Sequence, residues 1–304
     1  MRVLITGGAG FIGHNTAIYL KKHDYEVIAF DNFRRATDYA IKRLDTHGVP
    51  IVKGNILDAK ALKETLKGVD VVVHAAAYIS VEESIKKPAL YFRNNVAGTA
   101  NVAHACLHED VKLLVYISSA AVYGNPVTLP ISEDHPTTPI SPYGLTKLVG
   151  EQITKFYGGQ GLKYIILRLF NVYGPGQSGA YAGVINRFIM RLSEGKPPII
   201  YGDGTQTRDF IHVYDVAEAI KLSIEGGVKN EVFNIATGKP TAIRDLAENI
   251  IRLAGLDLKP LFKRPRMGDI KHSYADISKA EKLLGFKPKI SLIEGLGDLL
   301  NLKA

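Results

Sequence analysis

The chain has 304 residues, a formal net charge of +8 at pH 7 and one cysteine, Cys106. A single cysteine excludes an internal disulfide framework and points to a reducing, cytoplasmic compartment. No apolar stretch is long enough to span a bilayer, the sequence opens on a strand rather than a leader, and the lysines and arginines are scattered among acids; this argues against a membrane or nucleic-acid partner and for solubility with a phosphate-binding cleft.

Residues 2–6, RVLIT, are an apolar run rich in β-branched side chains, which predicts a buried strand. Glycines follow at Gly7, Gly10 and Gly13, with Phe11 and Ile12 between them, and a helical pattern covers 12–22. In a strand–turn–helix setting Gly7 permits a tight turn and Gly10 lets backbone approach a pyrophosphate. Gly13 lets the helix pack close to the strand, and the helix N-terminus faces the phosphates. A second strand at 27–30 ends in Asp31, followed by Asn32. Asp31 lies about 20 residues past the turn, where a carboxylate accepts hydrogen bonds from an adenosine ribose. Apolar runs at 49–53, 71–74, 111–117 and 164–170 predict further parallel strands, with helical patterns at 59–67, 88–107 and 142–158 between them.

In the last of these helices Tyr143 and Lys147 stand four residues apart, on one face. An ammonium beside a phenol favours the phenolate. Such a tyrosine exchanges protons near neutral pH, which free tyrosine, with a pKa of about 10, does poorly. Taken alone, the spacing also suits an ordinary surface pair.

Beyond 171 the pattern changes. Residues 183–194 read as helix, 199–202 and 210–213 as short strands, 215–225 as helix and 231–236 as strand. The stretch 241–255 is amphipathic with Thr241 as its expected N-cap, and Ser278 with Glu281 predicts a capping box for a helix that stops at Gly285. The expectation is an α/β chain: a Rossmann-type doubly wound parallel sheet over 1–171 with a returning segment near 203–236, and a smaller α/β lobe over 172–304. The site falls in the cleft between them. His104 and His108 have a metal pair's spacing but no third ligand, so no metal is expected. Cys106 reads as a small buried hydrophobe and His74 as a satisfied core histidine.

TGGAGFIG (6–13), YISSAAVYG (116–124), Tyr143-x-x-x-Lys147 and RLFNVYGPG (168–176) together resemble the extended short-chain dehydrogenase/reductase family, and within it the nucleotide-sugar 4-epimerases. Matching stretches at 201–219 and 264–280 carry the resemblance to near Leu296. It implies a catalytic set of Ser119, Tyr143 and Lys147, and NAD as cofactor. Asp31 would repel the extra phosphate of NADP, although Arg34 and Arg35 could hold it. It further implies cofactor contacts from Asn55 and Ile56 (Asn55 standing where the family has Asp), Ala75, Ala76, Ala77, Asn95 and Ser118. Ser118 also reads as a plain strand-end cap.

The substrate implied is a UDP-sugar. Ser119 and Tyr143 would meet the sugar, while Asn171, Arg208, Arg266 and Asp269 would meet the diphosphate and nucleoside ribose. Asp209 reads as the ion-pair partner of Arg208. Ser273 falls at the position that gates the sugar pocket, where a small residue resembles enzymes accepting N-acetylhexosamines. Related dehydratases follow the active hydroxyl with an Asp-Glu pair. Here Ala120 and Ala121 stand there, and alanine supplies neither acid nor base. The implied reaction is therefore redox-neutral: C4 epimerisation of UDP-glucose and UDP-galactose through a 4-keto sugar. UDP-N-acetylglucosamine and UDP-glucuronate epimerisation, an NADP-dependent reductase and a non-catalytic dinucleotide-binding module are the alternatives. The resemblance also implies a homodimer through the helices at 88–107 and 142–158.

Overall fold

A computed structural model describes residues 1–177, 183–265 and 268–301. Seven parallel strands form the central sheet: β1 (Arg2–Thr6), β2 (Glu26–Asp31), β3 (Ile51–Lys53), β4 (Val71–His74), β5 (Leu113–Ser119), β6 (Tyr164–Leu169) and a late strand at Glu231–Ile235. Their spatial order runs from the late strand through β6, β5, β4, β1 and β2 to β3. The order reverses between β1 and β4, and ligands of open α/β sheets bind in the crevice at the carboxyl ends beside such a reversal.

Side chains alternate between two buried faces, which explains why the strands read as unbroken apolar runs. Val3, Ile5, Val71, Val73, Val115 and Ile165 enter one core layer. Leu4, Val72, Leu114, Tyr116 and Ile166 enter the other. The first layer is covered by α1 (Phe11–Lys21), beside α2 (Asp38–Thr46), and by a later helix at Val213–Glu225 that packs on α1. The second is covered by α3 (Ala59–Leu66), α6 (Gly98–His108) and α7 (Pro142–Gly158), of which α6 and α7 also pack on each other, while the short helices α4 (Val81–Lys86) and α5 (Pro88–Tyr91) pack on α7. Cys106 is fully buried on α6 in that layer, and burial pushes its thiol up from the usual range.

The second half of the chain adds β7 (Asn171–Tyr173), α8 (Val184–Ser193), β8 (Ile199–Tyr201), β9 (Thr207–His212), α9 (Val213–Glu225) and β10 (Glu231–Ile235), the sheet's last strand. It continues with β11 (Pro240–Ala242), α10 (Ile243–Leu253), β12 (Leu261–Lys263), β13 (His272–Ser273), α11 (Ser278–Leu284) and α12 (Leu292–Asn301). β9 is the hub of a four-stranded sheet with β7, β11 and β13, and β8 pairs with β12. A separate core of Ile185, Phe188, Phe210, Leu246, Ile250 and Leu296 joins α8, α10 and α12 to it.

Several local expectations are corrected. The helix expected over 88–107 is interrupted by a π-helical segment at Phe92–Ala97, which carries Asn94 and Asn95 into the interior. Single π turns of this kind are frequent at functional sites. Thr241 does not cap α10: it lies in β11, opposite Arg208 of β9, and Ala242 precedes the helix. Ser278 forms no capping box, because its N–H and Oγ both donate to Asp276 Oδ1, at 2.9 and 2.5 Å. Gly285 does end α11, in the left-handed conformation at φ 67°.

Candidate active site

Three clefts adjoin one another at the carboxyl ends of β1, β2, β4 and β5. One is lined by Gly7, Gly10, Asp31, Asn32, Ile56, Ala75, Ala76 and Ala77, and another by Gly10, Phe11, Ile12 and Gly13. Gly7 sits at φ 70°, and a Cβ there would lie 2.7 Å from the backbone of Ala76. A Cβ on Gly13 would lie 2.1 Å from the Gly7 carbonyl oxygen. The turn can therefore be built only from glycine at these two positions. Gly13→Ala is expected to push α1 off the turn at about 1–3 kcal/mol. Dinucleotide affinity should fall about tenfold or more, and a fluorescence titration with NADH at the wild-type Kd would refute this.

Asp31 is nearly buried. Its Oδ2 accepts from the Ala9 N–H at 3.0 Å and its Oδ1 from the Phe33 N–H at 2.8 Å. Burial pushes its carboxyl up from the usual range, and these N–H donors oppose the rise. Asn55 and Asn95 line none of the three clefts. Asn55 Oδ1 accepts from the Leu57 N–H at 3.0 Å, closing a local turn, while Gly54 and Ile56 face the cleft. Asn95 exchanges two hydrogen bonds with the backbone of Tyr78, at 2.8 and 2.9 Å, and donates to Thr146 Oγ1 at 3.1 Å. It therefore fixes the cleft wall from behind, and its neighbour Asn94 faces the cleft. His74 is buried between Thr6 and Thr99 at 2.6 and 2.9 Å, as a satisfied core histidine. Burial, helped by Lys147, lowers its pKa to about 3.

The third cleft, of about 280 Å³, is lined by Ser118, Ser119, Tyr143, Lys147 and Asn171 together with Ile12 and Ala75. α7 brings Tyr143 and Lys147 here. Ser141 caps it, its Oγ accepting from the Gly144 N–H at 3.1 Å, and Pro142 occupies the first turn. Gly150 lets the helix down onto Tyr116, whose hydroxyl a Cβ there would meet at 2.0 Å. The Lys147 ammonium donates to the Ile117 carbonyl at 2.7 Å, and burial lowers its pKa to about 8 against an opposing pull from Glu151.

For Tyr143 the expected direction is reversed. Burial pushes its phenol up from the usual value, and a hydrogen bond with Ser119 only partly opposes this. Desolvation of the phenolate therefore sets the direction, and the Lys147 ammonium is engaged by the Ile117 carbonyl.

A buried acid–base pair stands behind Ser118 of this cleft. Arg168 on β6 and Glu151 on α7 form a two-point pair at 2.9 and 2.7 Å, with side chains 5% and 0% exposed. Glu151 Oε1 also accepts from Ser118 Oγ at 2.6 Å, so Ser118 is tied into the core although it borders the cleft.

The remaining substrate candidates gather at the small sheet. Asn171 pairs with Phe210 in the β7–β9 ladder, and Ser273 pairs with Arg208 in the β13–β9 ladder. Arg208 lies 3.9 Å from exposed Asp269, which replaces Asp209 as its ionic neighbour. Asp209 is fully buried and instead accepts from the N–H groups of Thr237, Gly238 and Ala275 and from the Thr237 hydroxyl, at 2.6–3.2 Å. Arg208, Asp269 and Ser273 are near one another but do not line the cleft around Tyr143. Arg266 lies outside the described residues. Tyr173, Gln177, Val184 and Phe210 line that cleft without having been singled out by sequence. Two matching stretches held the available signal, RLFNVYGPG for Tyr173 and 201–219 for Phe210.

The profile of the NAD dependent epimerase/dehydratase family matches residues 3–236. The chain belongs to this family. Among epimerase/dehydratase relatives, a Methanocaldococcus jannaschii protein, provisionally named as a UDP-glucose 4-epimerase, is 41% identical over 302 residues, covering 98% of this chain and 97% of its own. A Thermotoga maritima UDP-glucose 4-epimerase solved with UDP-glucose superimposes with a TM-score of 0.93 at 36% identity, covering 100% and 98% of the two chains. A UDP-N-acetylglucosamine 4-epimerase from Methanobrevibacter ruminantium, in complex with UDP-N-acetylmuramic acid, also gives 0.93 at 36% identity, covering 99% and 97%.

The chain's own residues fit NAD. The turn that only glycine can build opens a cradle for a pyrophosphate, and Asp31 at the end of β2 offers a carboxylate to a ribose. Gly7, Gly10, Phe11, Ile12 and Gly13 would hold the phosphates, Asp31 and Asn32 the ribose, and Ile56 with Ala75, Ala76 and Ala77 the adenosine side. Among the described residues no cluster of histidine, cysteine or acids is arranged to hold a metal, and no helix is long and apolar enough to cross a membrane.

Proposed function

We propose that the chain interconverts UDP-glucose and UDP-galactose at C4, with NAD as a cofactor that is not consumed. The observation that carries this reading is that Ser119, Tyr143 and Lys147 line one cleft contiguous with the glycine-built cradle. The turn after Ser119 is formed by Ala120, Ala121 and Val122, which leaves no acid or base for eliminating water. When bound, NAD supplies the two-electron exchange, taking a hydride from C4 and returning it.

Tyr143 removes the proton of the 4-hydroxyl and gives it back. Ser119, which lines the same cleft as Tyr143 and accepts from the Ala121 N–H at 3.2 Å, steers that proton. Lys147, fixed on Ile117, keeps a positive charge beside the cleft below its pKa of about 8. Asn171, Arg208, Arg266 and Asp269 hold the diphosphate and nucleoside, arginine suiting phosphate because its planar fork donates in pairs. The sugar is left loosely held, so the 4-keto form can turn its other face to the cofactor.

We assign the dinucleotide to the central sheet and the nucleotide sugar to the elements after residue 171. A second copy of the chain is the proposed partner, through the helical segments at 88–107 and α7, the latter carrying Leu145 and Phe156 at 41% and 63% exposure; sedimentation equilibrium returning a monomer would refute it. The single, buried Cys106 supports a reducing cytoplasmic setting.

The test is incubation with UDP-glucose, UDP-galactose and their N-acetyl forms, with products read by NMR. Inversion at C4 without net reduction of added NAD is expected. Net cofactor reduction, or no inversion of any of the four sugars, would sink the reading. A second substrate class, the N-acetylhexosamines, is favoured by the small, half-buried Ser273 beside Arg208. Ser273→Tyr is expected to cut N-acetyl-sugar turnover about tenfold or more while sparing the plain hexoses, the scale that filling a pocket commands. Unchanged N-acetyl turnover would remove Ser273 from the gate.

A further inference from the structure

A 2′-phosphate on the adenosine ribose would bring about −1.5 to −2 charges close to the Asp31 carboxylate. An arginine near that acid can offset the repulsion. Among the described residues that line the cleft around Asp31 and Asn32, Arg35 brings the positive side chain. The turn that delivers it is fixed: Phe33 takes φ 58° and donates its N–H to Asp31 Oδ1, and the Arg34 N–H donates to Asn32 Oδ1 at 2.9 Å.

Arg35 is committed elsewhere. Its Nη2 donates to both carboxylate oxygens of Glu83, at 2.9 and 3.1 Å, and its guanidinium carbon lies 5.2 Å from the centre of the Tyr78 ring. Glu83 is anchored in turn. Its Oε2 accepts from the hydroxyl of fully buried Tyr91 at 3.1 Å, and that hydroxyl accepts from the Ser80 N–H at 3.0 Å. The Glu83 N–H donates to Ser80 Oγ at 3.1 Å, and Lys87 Nζ stands 3.8 Å from Oε1. A pair between two exposed, mobile side chains would give way at little cost. Here the acid is 22% exposed and tied to the core through Tyr91.

We propose that Glu83 is a second determinant of dinucleotide choice: by gripping Arg35 it withholds the guanidinium from a 2′-phosphate, so the repulsion from Asp31 stands uncompensated and the chain takes NAD rather than NADP. The inference deepens the proposed function and rests on the seat of the ribose at Asp31.

The test reads Kd for NADH and NADPH from the change in nicotinamide fluorescence on binding, which the chain's lack of tryptophan simplifies. In Glu83→Gln the ratio Kd(NADPH)/Kd(NADH) is expected to fall about tenfold, the worth of one charge-assisted bond. Adding Arg35→Ala should return it to near the wild-type value, since the gain runs through the arginine. A gain that survives the loss of Arg35 overturns the proposal.

One arm leaves Glu83 in place and does not depend on the folding of Glu83→Gln. In an Asp31→Asn background, Arg35→Ala should leave the ratio unchanged, because the arginine is still held away; a rise of about tenfold overturns the proposal. A ratio unmoved by Glu83→Gln but moved by Asp31→Asn overturns the role of Glu83 alone. A ratio unmoved by either removes the ribose from Asp31, and the proposal falls with that reading.

Discussion

Tyr143→Phe is expected to lower kcat for C4 inversion by about 10³-fold, within the range that one positioned acid–base group contributes. The Kd of the UDP-sugar should change by less than about fivefold, what one ordinary hydrogen bond is worth. The ring stays, since Tyr143 packs with Tyr78 and Tyr91 in a small buried aromatic cluster, so the variant removes only the hydroxyl. Tyr143 shares with Ser119 the cleft in which the sugar is proposed to turn. Burial raises its pKa, so the chain alone does not leave a standing phenolate. The phenol is therefore proposed to lose its proton to solvent when positive charge is gathered around the cleft, with Lys147 supplying the share the chain controls, and the phenolate so formed accepts the 4-hydroxyl proton. Single-turnover inversion followed by NMR, with UDP-sugar affinity measured calorimetrically, separates chemistry from binding. A kcat within tenfold of wild type would remove Tyr143 from the reaction.

Glu151→Ala is expected to destabilise the fold by about 3–5 kcal/mol, because it strands the Arg168 guanidinium in the interior. Arg168 donates to Glu151 twice, to the Tyr123 hydroxyl at 3.0 Å and to the Glu133 carbonyl at 3.0 Å. Tyr123 donates onward to Asn234 at 2.6 Å, so the pair ties β6, α7 and β10 together. The double variant Glu151→Leu/Arg168→Leu should lose less than either single change, since apolar replacement of both partners leaves no buried charge. It will not reach wild type, because Tyr123 and the Glu133 carbonyl lose their donor. Denaturant melts of Glu151→Leu, Arg168→Leu and the double variant form the cycle. Single variants within about 1 kcal/mol of wild type would show that the pair is not a structural tie.

The central sheet was legible because its strands are buried on both faces and so appear as unbroken apolar runs, as at 71–74 and 164–169. The glycine turn and the Tyr143/Lys147 pair were legible because their chemistry depends on spacing along one segment. What was missed depends on distant partners. β11 and β13 are two or three residues long, half-buried, and exist only because β9 lies beside them. Thr241 resembles a cap until Arg208 is seen opposite it. Asp209 resembles the mate of Arg208 until three backbone N–H groups from elsewhere in the chain are found on its carboxylate. Asn55 and Asn95 have the right chemistry, but the fold spends their amides on Leu57 and Tyr78. The direction of the Tyr143 shift was not legible either, since burial is a property of the packed helix and not of the spacing.

β10 pairs with β6 in register from Glu231 to Ile235, after all of β7, α8, β8, β9 and α9 has intervened. During synthesis the edge of β6 at Tyr164–Leu169, every residue of it buried in the finished sheet, must wait some 60 residues for its neighbour to leave the ribosome. Throughout that interval the nascent chain presents an unpaired apolar strand, the kind of edge that invites mispairing. A fragment ending at residue 171 would carry the same open edge permanently, so it should aggregate rather than survive as a free-standing nucleotide-binding unit.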